Sequence, residues 1–349
     1  MEKINTALAS FGMSGVVFHA PFIVAHPGFQ LTGVFERSKE LSKEKYPWVK
    51  IYRSFDELIA DPEVDLVVVN TPNHTHFDFT KKALLAGKDV IVEKPFTTFT
   101  EEADELIQLA REKNRFLTVY HNRRYDSDFR TVKKVVAQKM LGDIVEAEIH
   151  YDRFKEELSP KVHKEIPSES TGSLYDLGSH LIDAALQLFG RPEALFADIH
   201  IVRPISKVYD YFDIVLYYPT LRVRVKSSYL VREALPGFIL HGSKGSFLKN
   251  RSDVQEIALQ AGKSPNEGGW GIESDLDRGL LHTVIDGQEI KEKLPSEVGN
   301  YLDFYDEVYQ AIKSNSSAPV ALEDARDVIK IIRAAYQSNE EKRLIPLSF

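Results

Sequence analysis

Over the first 120 residues, short runs rich in β-branched and aromatic residues alternate with longer stretches whose apolar positions recur at helical spacing. This pattern predicts strands at 5–10, 30–35, 65–70, 89–93 and 116–120, with helices at 14–25, 54–60, 76–86 and 100–113 between them. Such alternation is the sequence form of a parallel sheet covered by helices. Past residue 120 the rhythm changes. A helix is expected at 126–139, an amphipathic strand at 144–153, and a helix at 172–189 closed by Gly190 and Pro192. Strand-like runs follow at 197–202, 211–217, 221–229 and 238–241, a succession that implies a second sheet, largely antiparallel. Residues 250–270 read as a polar, Gly-rich excursion, and 301–313 and 323–342 return to helical spacing.

The chain therefore divides, as a sequence, into an α/β domain over 1–120 and a second α/β domain over 121–349 with a large, mostly antiparallel open sheet. A length of 349 residues, 43% of them hydrophobic, is enough for two such cores. The net charge of -8 argues against a general footprint for nucleic acid or an anionic membrane. Cys is absent, which excludes disulfides, thiol nucleophiles and cysteine metal sites. No apolar run approaches the roughly 18 residues of a membrane span, and the first residues lack the sections of a secretory signal. The expectation is a cytoplasmic protein acting on a small molecule.

Ser10-Phe11-Gly12-Met13-Ser14-Gly15 joins the first expected strand to the first helix, where a dinucleotide-binding Rossmann fold uses glycines to let backbone amides approach a pyrophosphate. Ser10 stands where the first glycine is usual, so the tight turn must form without glycine's freedom at positive φ. Glu36 follows Gly15 by about 20 positions, the spacing at which an acid meets the adenine ribose. Arg37, with Ser38, offers the opposite chemistry, neutralising a 2′-phosphate. NAD and NADP both remain open at this corner. At the carboxyl edge of the next strand, Asn70, Thr71, Pro72, Asn73 and His76 could border the nicotinamide ribose. His74 and His76 lack nearby carboxylate or thiolate partners in sequence, and no metal is expected.

Glu93-Lys94-Pro95 ends the following strand on the same edge, where an ammonium can stabilise negative charge developing on an alcohol oxygen. Asp176 and His180 lie four positions apart on an expected helix and so share one face. An imidazole suits proton exchange with an alcohol at neutral pH, and a carboxylate can hold a neighbouring hydroxyl. Gly178, between them, suggests the close approach of a ligand. His121, Arg123 and Arg124 form a polar cluster at the expected domain junction, and Arg153 lies along a strand that could reach the same place.

The glycine turn, Glu93-Lys94-Pro95, His121-Asn122-Arg123-Arg124 and the Asp176/His180 helix together resemble the glucose-fructose oxidoreductase and inositol dehydrogenase family, Gfo/Idh/MocA. Within it, the segments from Gly12 to Pro21, 121–129 and 174–183, with Trp270-Gly271, are most similar to the NADP-dependent scyllo-inositol dehydrogenase branch. The resemblance implies a Rossmann domain, a second domain whose open sheet joins copies into a homodimer or homotetramer, and substrate held between the domains. Lys94 matches the family's motif lysine, Asp176 its substrate-binding aspartate and His180 its acid/base. Cofactor contacts are then expected from Phe11, Gly12, Met13, Ser14, Gly15, Glu36, Arg37, Asn70, Thr71, Pro72, Asn73, His76, Glu93 and Lys94. Substrate contacts are expected from Lys94, His121, Arg123, Arg153, Asp176 and His180. The resemblance favours NADP and hydride transfer at a carbinol carbon of a cyclic polyol or sugar. A reductase of an unrelated carbonyl or imine, and a non-catalytic NAD(P)-binding regulator, are the alternatives.

Overall fold

A computed structural model describes residues 2–314 and 316–349, without the side chain of His163. The chain forms two compact units. The first comprises 1–125, 254–270 and 300–326, and the second comprises 126–253, 271–299 and 327–349.

The first unit is built on six parallel strands: β1 (Ile4–Leu8), β2 (Phe29–Phe35), β3 (Lys50–Tyr52), β4 (Leu66–Val69), β5 (Asp89–Glu93) and β6 (Leu117–Tyr120). Their order is β3-β2-β1-β4-β5-β6, so the chain reverses direction across the sheet between β1 and β4. A ligand crevice forms outside the carboxyl ends of the strands at such a switch point. All four residues of β4 are fully buried, as a strand covered on both faces requires. The connecting helices include Phe55–Ala60, which starts where the Ser54 hydroxyl accepts from the Glu57 N–H at 3.1 Å.

The second unit carries nine strands: β7 (Ile144–His150), β8 (Ala194–His200), β9 (Tyr211–Tyr217), β10 (Arg222–Ser228), β11 (Phe238–Gly242), β12 (Gly245–Lys249), β13 (Gly279–Ile285), β14 (Gln288–Leu294) and β15 (Ile345–Pro346). Their order is β14-β13-β12-β11-β7-β10-β9-β8-β15. The pairings are antiparallel except for β7 with β10. Along β9 one face is buried through Phe212, Ile214 and Leu216, while Tyr211, Asp213, Val215 and Tyr217 are half-buried on the other. This period of two leaves a polar and aromatic outer face.

Several expectations need correction. Beside the division expected at residue 120, the segments 254–270 and 300–326 also belong to the first compact unit. The expected excursion at 250–270 contains the helix Val254–Gln260. Strands β3, β12, β13, β14 and β15 were not expected from the pattern. The expected helices at 14–25 and 172–189 each begin with a wider π turn, Gly15–His19 and Leu174–Gly178, before the α-helices Ala20–Ala25 and Ser179–Phe189. Such π windings occur often at functional sites.

Candidate functional site

In the first unit, the turn after β1 is held by Asn70 at the end of β4. Its amide oxygen accepts from the Ser10 N–H at 2.9 Å, and its amide nitrogen donates to the Ser10 carbonyl at 3.0 Å. The Ser10 hydroxyl donates to the Asn70 carbonyl at 2.8 Å. Ser10 is not among the residues with positive φ, so the serine meets no backbone penalty here. The side chain of Asn70, expected to border the ribose, ties the two central strand ends together.

A Cβ at Gly15 would lie 2.6 Å from the Ser10 carbonyl oxygen and 2.9 Å from the Asn70 amide nitrogen. Gly15 is thus required by this close approach. A Cβ at Gly12 would meet nothing within 4 Å, and both Gly12 and Met13 are exposed. The turn therefore presents an open cradle beside Gly12, which fits a dinucleotide phosphate approaching backbone. Phe11 points into the core, edge-on to Tyr46 with ring centroids 6.2 Å apart, so only its backbone faces the turn.

Beyond β2, the Glu36 carboxylate is buried. One oxygen accepts from the Leu41 N–H at 3.0 Å, and the other accepts from the Ser42 N–H at 3.0 Å and the Ser42 hydroxyl at 2.6 Å. Glu36 is the anionic cap of the short helix Leu41–Lys45. The carboxylate expected to meet the adenine ribose thus already holds three donors of its own chain. Arg53 braces the same loop, its Nη1 donating to the carbonyls of Glu36 and Lys39 and its Nη2 pairing with Glu40. Arg37, Ser38 and Lys39 stay exposed on it.

At the end of β5 a buried chain of side chains forms. The Ser14 hydroxyl donates to Glu93 Oε1, and His19 Nε2 lies 3.0 Å from the same oxygen. His19 Nδ1 lies 2.7 Å from the Tyr305 hydroxyl, and the ring packs on Tyr120 with centroids 4.6 Å apart. Burial opposes charge on Glu93, yet the His19 and Ser14 hydrogen bonds and the Lys94 charge hold its pKa at about 2. Burial and the Glu93 charge push the Tyr305 phenol well above its ordinary value. Glu93 also accepts from the Lys94 N–H at 3.2 Å, so the network fixes the backbone that carries Lys94. Lys94 itself is half-buried, and its bond to the buried Pro95 is cis.

His76 is fully buried, with Nδ1 2.7 Å from the Pro95 carbonyl oxygen and Nε2 2.9 Å from that of Thr71. Burial lowers its pKa. The ring, expected to contact the cofactor, pins the loop after β4 to the loop after β5. Thr71 accepts from the Thr75 hydroxyl at 2.7 Å, Pro72 is exposed and Asn73 is half-buried. Arg123, expected to contact substrate, donates to Glu256 at 2.9 Å and to the Tyr301 hydroxyl at 3.2 Å within the first unit. His121 is buried beside it in sequence.

In the second unit, Asp176 lies in the π turn Leu174–Gly178, and His180, 9% exposed, lies in the first turn of Ser179–Phe189. Both carboxylate oxygens of Asp176 accept from Lys164 Nζ at 3.0 Å. Arg153 sits over the rings of Tyr151 and Tyr229, at 5.0 and 5.9 Å from their centroids. Burial and the Asp176 charge push the Tyr229 phenol up to about 12. Gly178 has a packing explanation: a Cβ there would lie 2.5 Å from Leu174 and 3.3 Å from Phe212 on β9, so no ligand need be invoked. Among the described residues, no group of three or more His, Asp or Glu is arranged to hold a metal ion, and no helix is long and apolar enough to cross a membrane.

His19, Tyr305 and Lys164 were missed from the sequence. His19 carried a weak signal, standing in the first helix beside Pro21; the other two lie in segments without a chemical pattern.

Residues 4–121 match an oxidoreductase family with an NAD-binding Rossmann fold, and 133–347 match the C-terminal alpha/beta domain of that family. The scyllo-inositol 2-dehydrogenase (NADP(+)) IolW of Bacillus subtilis is 36% identical over 347 residues, covering 99% of this chain and 97% of that protein. A crystal structure from Bacteroides fragilis is 49% identical with a TM-score of 0.91, covering 99% of this chain and 100% of that one. The structure of yvaA from Bacillus subtilis is 36% identical with a TM-score of 0.96, covering 99% of each chain. The parallel sheet with its glycine turn, the mixed nine-stranded sheet and these matches along nearly the whole length agree: this chain is an oxidoreductase of the Gfo/Idh/MocA family, with an NAD(P)-binding Rossmann domain and a C-terminal α/β domain.

Proposed function

We propose that this oxidoreductase interconverts a secondary alcohol of a cyclic polyol or sugar and its ketone, with NADP as the preferred nucleotide. The observation that carries the reading is the segment around Asp176 and His180. A partly exposed carboxylate with an ammonium on both its oxygens is followed one turn later by a histidine. This donor and acceptor set suits hydroxyl groups, and the substrate in the name of IolW is an inositol.

When bound, the nicotinamide would supply the hydride acceptor for oxidation of the carbinol and the hydride donor for reduction of the ketone. The backbone around Gly12 and Ser14 holds the pyrophosphate, and Arg37 with Ser38 and Lys39 faces the 2′-phosphate. The Glu36 cap supports this preference, because it turns the Glu36 carboxylate inward and leaves Arg37 and Lys39 exposed beside it. Phe11, Met13, Gly15, Thr71, Pro72 and Asn73 line the backbone of the same nucleotide site. Lys94 donates to the reacting oxygen and stabilises its negative charge. His180 takes the hydroxyl proton in oxidation and returns it in reduction. Asp176 accepts from a neighbouring hydroxyl and orients the ring, with Arg153 and His121 as further polar contacts.

Copies of the chain associate through the outer face of the nine-stranded sheet, where Phe196 is 38% exposed and pairs in register with Val215. A homodimer or homotetramer on this face buries Phe196, Val215 and Tyr217. Initial rates with NADP and NAD against inositols and aldoses test the activity, with His180→Ala as the control. Turnover that is higher with NADP and lost in the variant is the expected result. No turnover with any polyol, despite nucleotide binding, overturns the reading.

A further inference from the structure

The second unit contains a cation, the ammonium paired with Asp176, to which the proposed reaction gives no separate role. Lys164 stands at the end of the short helical turn Val162–Lys164, within the segment that joins β7 to the π turn of Asp176. Its ammonium lies 3.0 Å from each Asp176 oxygen, with the two side chains 40% and 29% exposed. A surface ion pair of this kind is ordinarily worth little, because two long side chains must be held in one geometry. Here the backbone around Lys164 is itself held.

The next residue, Glu165, accepts from the Ser159 N–H at 2.7 Å and from Arg203 Nη2 at 3.4 Å. Arg203 is 1% exposed; its Nε donates to Asp210 at 2.7 Å, its Nη1 donates to the Glu157 carbonyl at 2.7 Å, and its plane packs 4.8 Å from the Tyr229 ring. A buried guanidinium thus anchors the segment at Glu157 and Glu165, one residue from Lys164. The ammonium is placed by fixed backbone and meets the expected substrate-binding carboxylate on its partly exposed side.

The two groups are complementary in hydrogen-bonding capacity. A carboxylate offers about four lone-pair sites and an ammonium three N–H donors, so side by side the two groups present both acceptor and donor chemistry. Two adjacent hydroxyls on a ring present the matching set, one O–H to donate and one oxygen to accept.

We propose that Lys164 is a specificity-determining residue that forms, with Asp176, a clamp for a vicinal diol: Asp176 accepts from one hydroxyl while Lys164 donates to the oxygen of its neighbour. This inference rests on the polyol reading above and narrows the substrate class to alcohols with a hydroxyl on the adjacent carbon. A site built to hydrogen-bond a hydroxyl discriminates against the analogue that lacks it, since its own polar groups lose a partner.

The test compares kcat and KM for a polyol and for its analogue deoxygenated at the neighbouring carbon, in the wild type, Lys164→Met and Lys164→Arg, with thermal melting to verify folding. The wild type is expected to favour the diol by about a hundredfold in kcat/KM. Lys164→Met should lose about tenfold to a hundredfold on the diol, mainly in KM, with little change on the deoxy analogue, and Lys164→Arg should recover most of the preference. Equal losses on both substrates, or an unchanged preference, overturn the clamp while leaving the polyol activity standing. If Lys164→Met does not fold, Lys164→Ala is read in its place, and equal losses on both substrates or an unchanged preference likewise overturn the clamp. A wild type that turns over no polyol overturns the functional reading and the clamp with it.

Discussion

His19 Nε2 lies 3.0 Å from Glu93 Oε1, joining the first helical segment to the end of β5 one residue before Lys94. Both groups are enclosed, and the Tyr305 hydroxyl completes the imidazole's partners at 2.7 Å. Removal of His19 leaves a buried carboxylate short of a donor, which costs about 3 kcal/mol by comparison with other buried charge partners. His19→Ala is expected to lose that much in denaturant unfolding at pH 7, and Tyr305→Phe about 1–2 kcal/mol. The Glu93 pKa is depressed from 4.5 to about 2, so its contribution is present above the ordinary carboxylate value and is lost as pH falls through the folded value. In His19→Ala the acid-side loss should begin at higher pH. A stability within 0.5 kcal/mol of wild type would refute the network, on the scale of about 0.5 kcal/mol for surface substitutions.

Two glycines of one turn should behave oppositely. Gly15→Ala drives a Cβ to 2.6 Å from a backbone carbonyl that cannot swing away, and a loss of about 2 kcal/mol or more in unfolding is expected. Gly12→Ala meets no atom within 4 Å, so its melting temperature should stay close to wild type while nucleotide affinity, read by fluorescence titration, falls at least about tenfold. Equal affinity in Gly12→Ala would move the pyrophosphate site elsewhere.

Glu36 and Arg37 are adjacent in sequence but have different roles. Glu36→Gln removes the charge that caps Leu41–Lys45 and should cost about 1–2 kcal/mol of stability with NADP to NAD preference retained. Arg37→Ala should leave stability unchanged and raise KM for NADP by about tenfold, or about 1.4 kcal/mol, with KM for NAD little altered. Parallel changes in both nucleotides would contradict the 2′-phosphate role.

His150, on β7, lies between Glu148 at 2.7 Å and Asp152 at 3.4 Å. Burial works against its charge, but the hydrogen bonds and charges of these two carboxylates raise its pKa above 6.5. A raised folded value stabilises fully below the unfolded value and loses that contribution as pH rises through the folded one. The stability difference between wild type and His150→Asn should therefore be largest near pH 6 and shrink at alkaline pH. A difference that grows with pH would show that the imidazole is held neutral.

Strands such as β4 were legible because a continuous apolar run in a strand–helix alternation has few other solutions. The hairpin of β13 and β14 escaped although its turn, Asp286-Gly287 with φ of 50° and 78°, is a strong hairpin pair, since β14 has almost no buried residue to mark it. The candidate residues of the site were legible as types at strand ends, but their uses were not. Asn70, Glu36 and His76 also hold partners within the fold that local sequence does not announce. Glu93, His19 and Tyr305 are brought together across 74 and 286 positions, which no local spacing encodes. The return of 254–270 and 300–326 to the first unit is equally a matter of long-range packing.

The central claim is hydride transfer from the carbinol carbon of a polyol, and the most direct measurement uses an inositol deuterated at its ring carbons with NADP, followed by mass spectrometry of the nucleotide. One deuterium in the reduced nicotinamide for each ketone formed, with the signal absent in His180→Ala, is the predicted result. Reduced nucleotide that carries no deuterium, or an inositol that gives no reduced nucleotide at all, would contradict it.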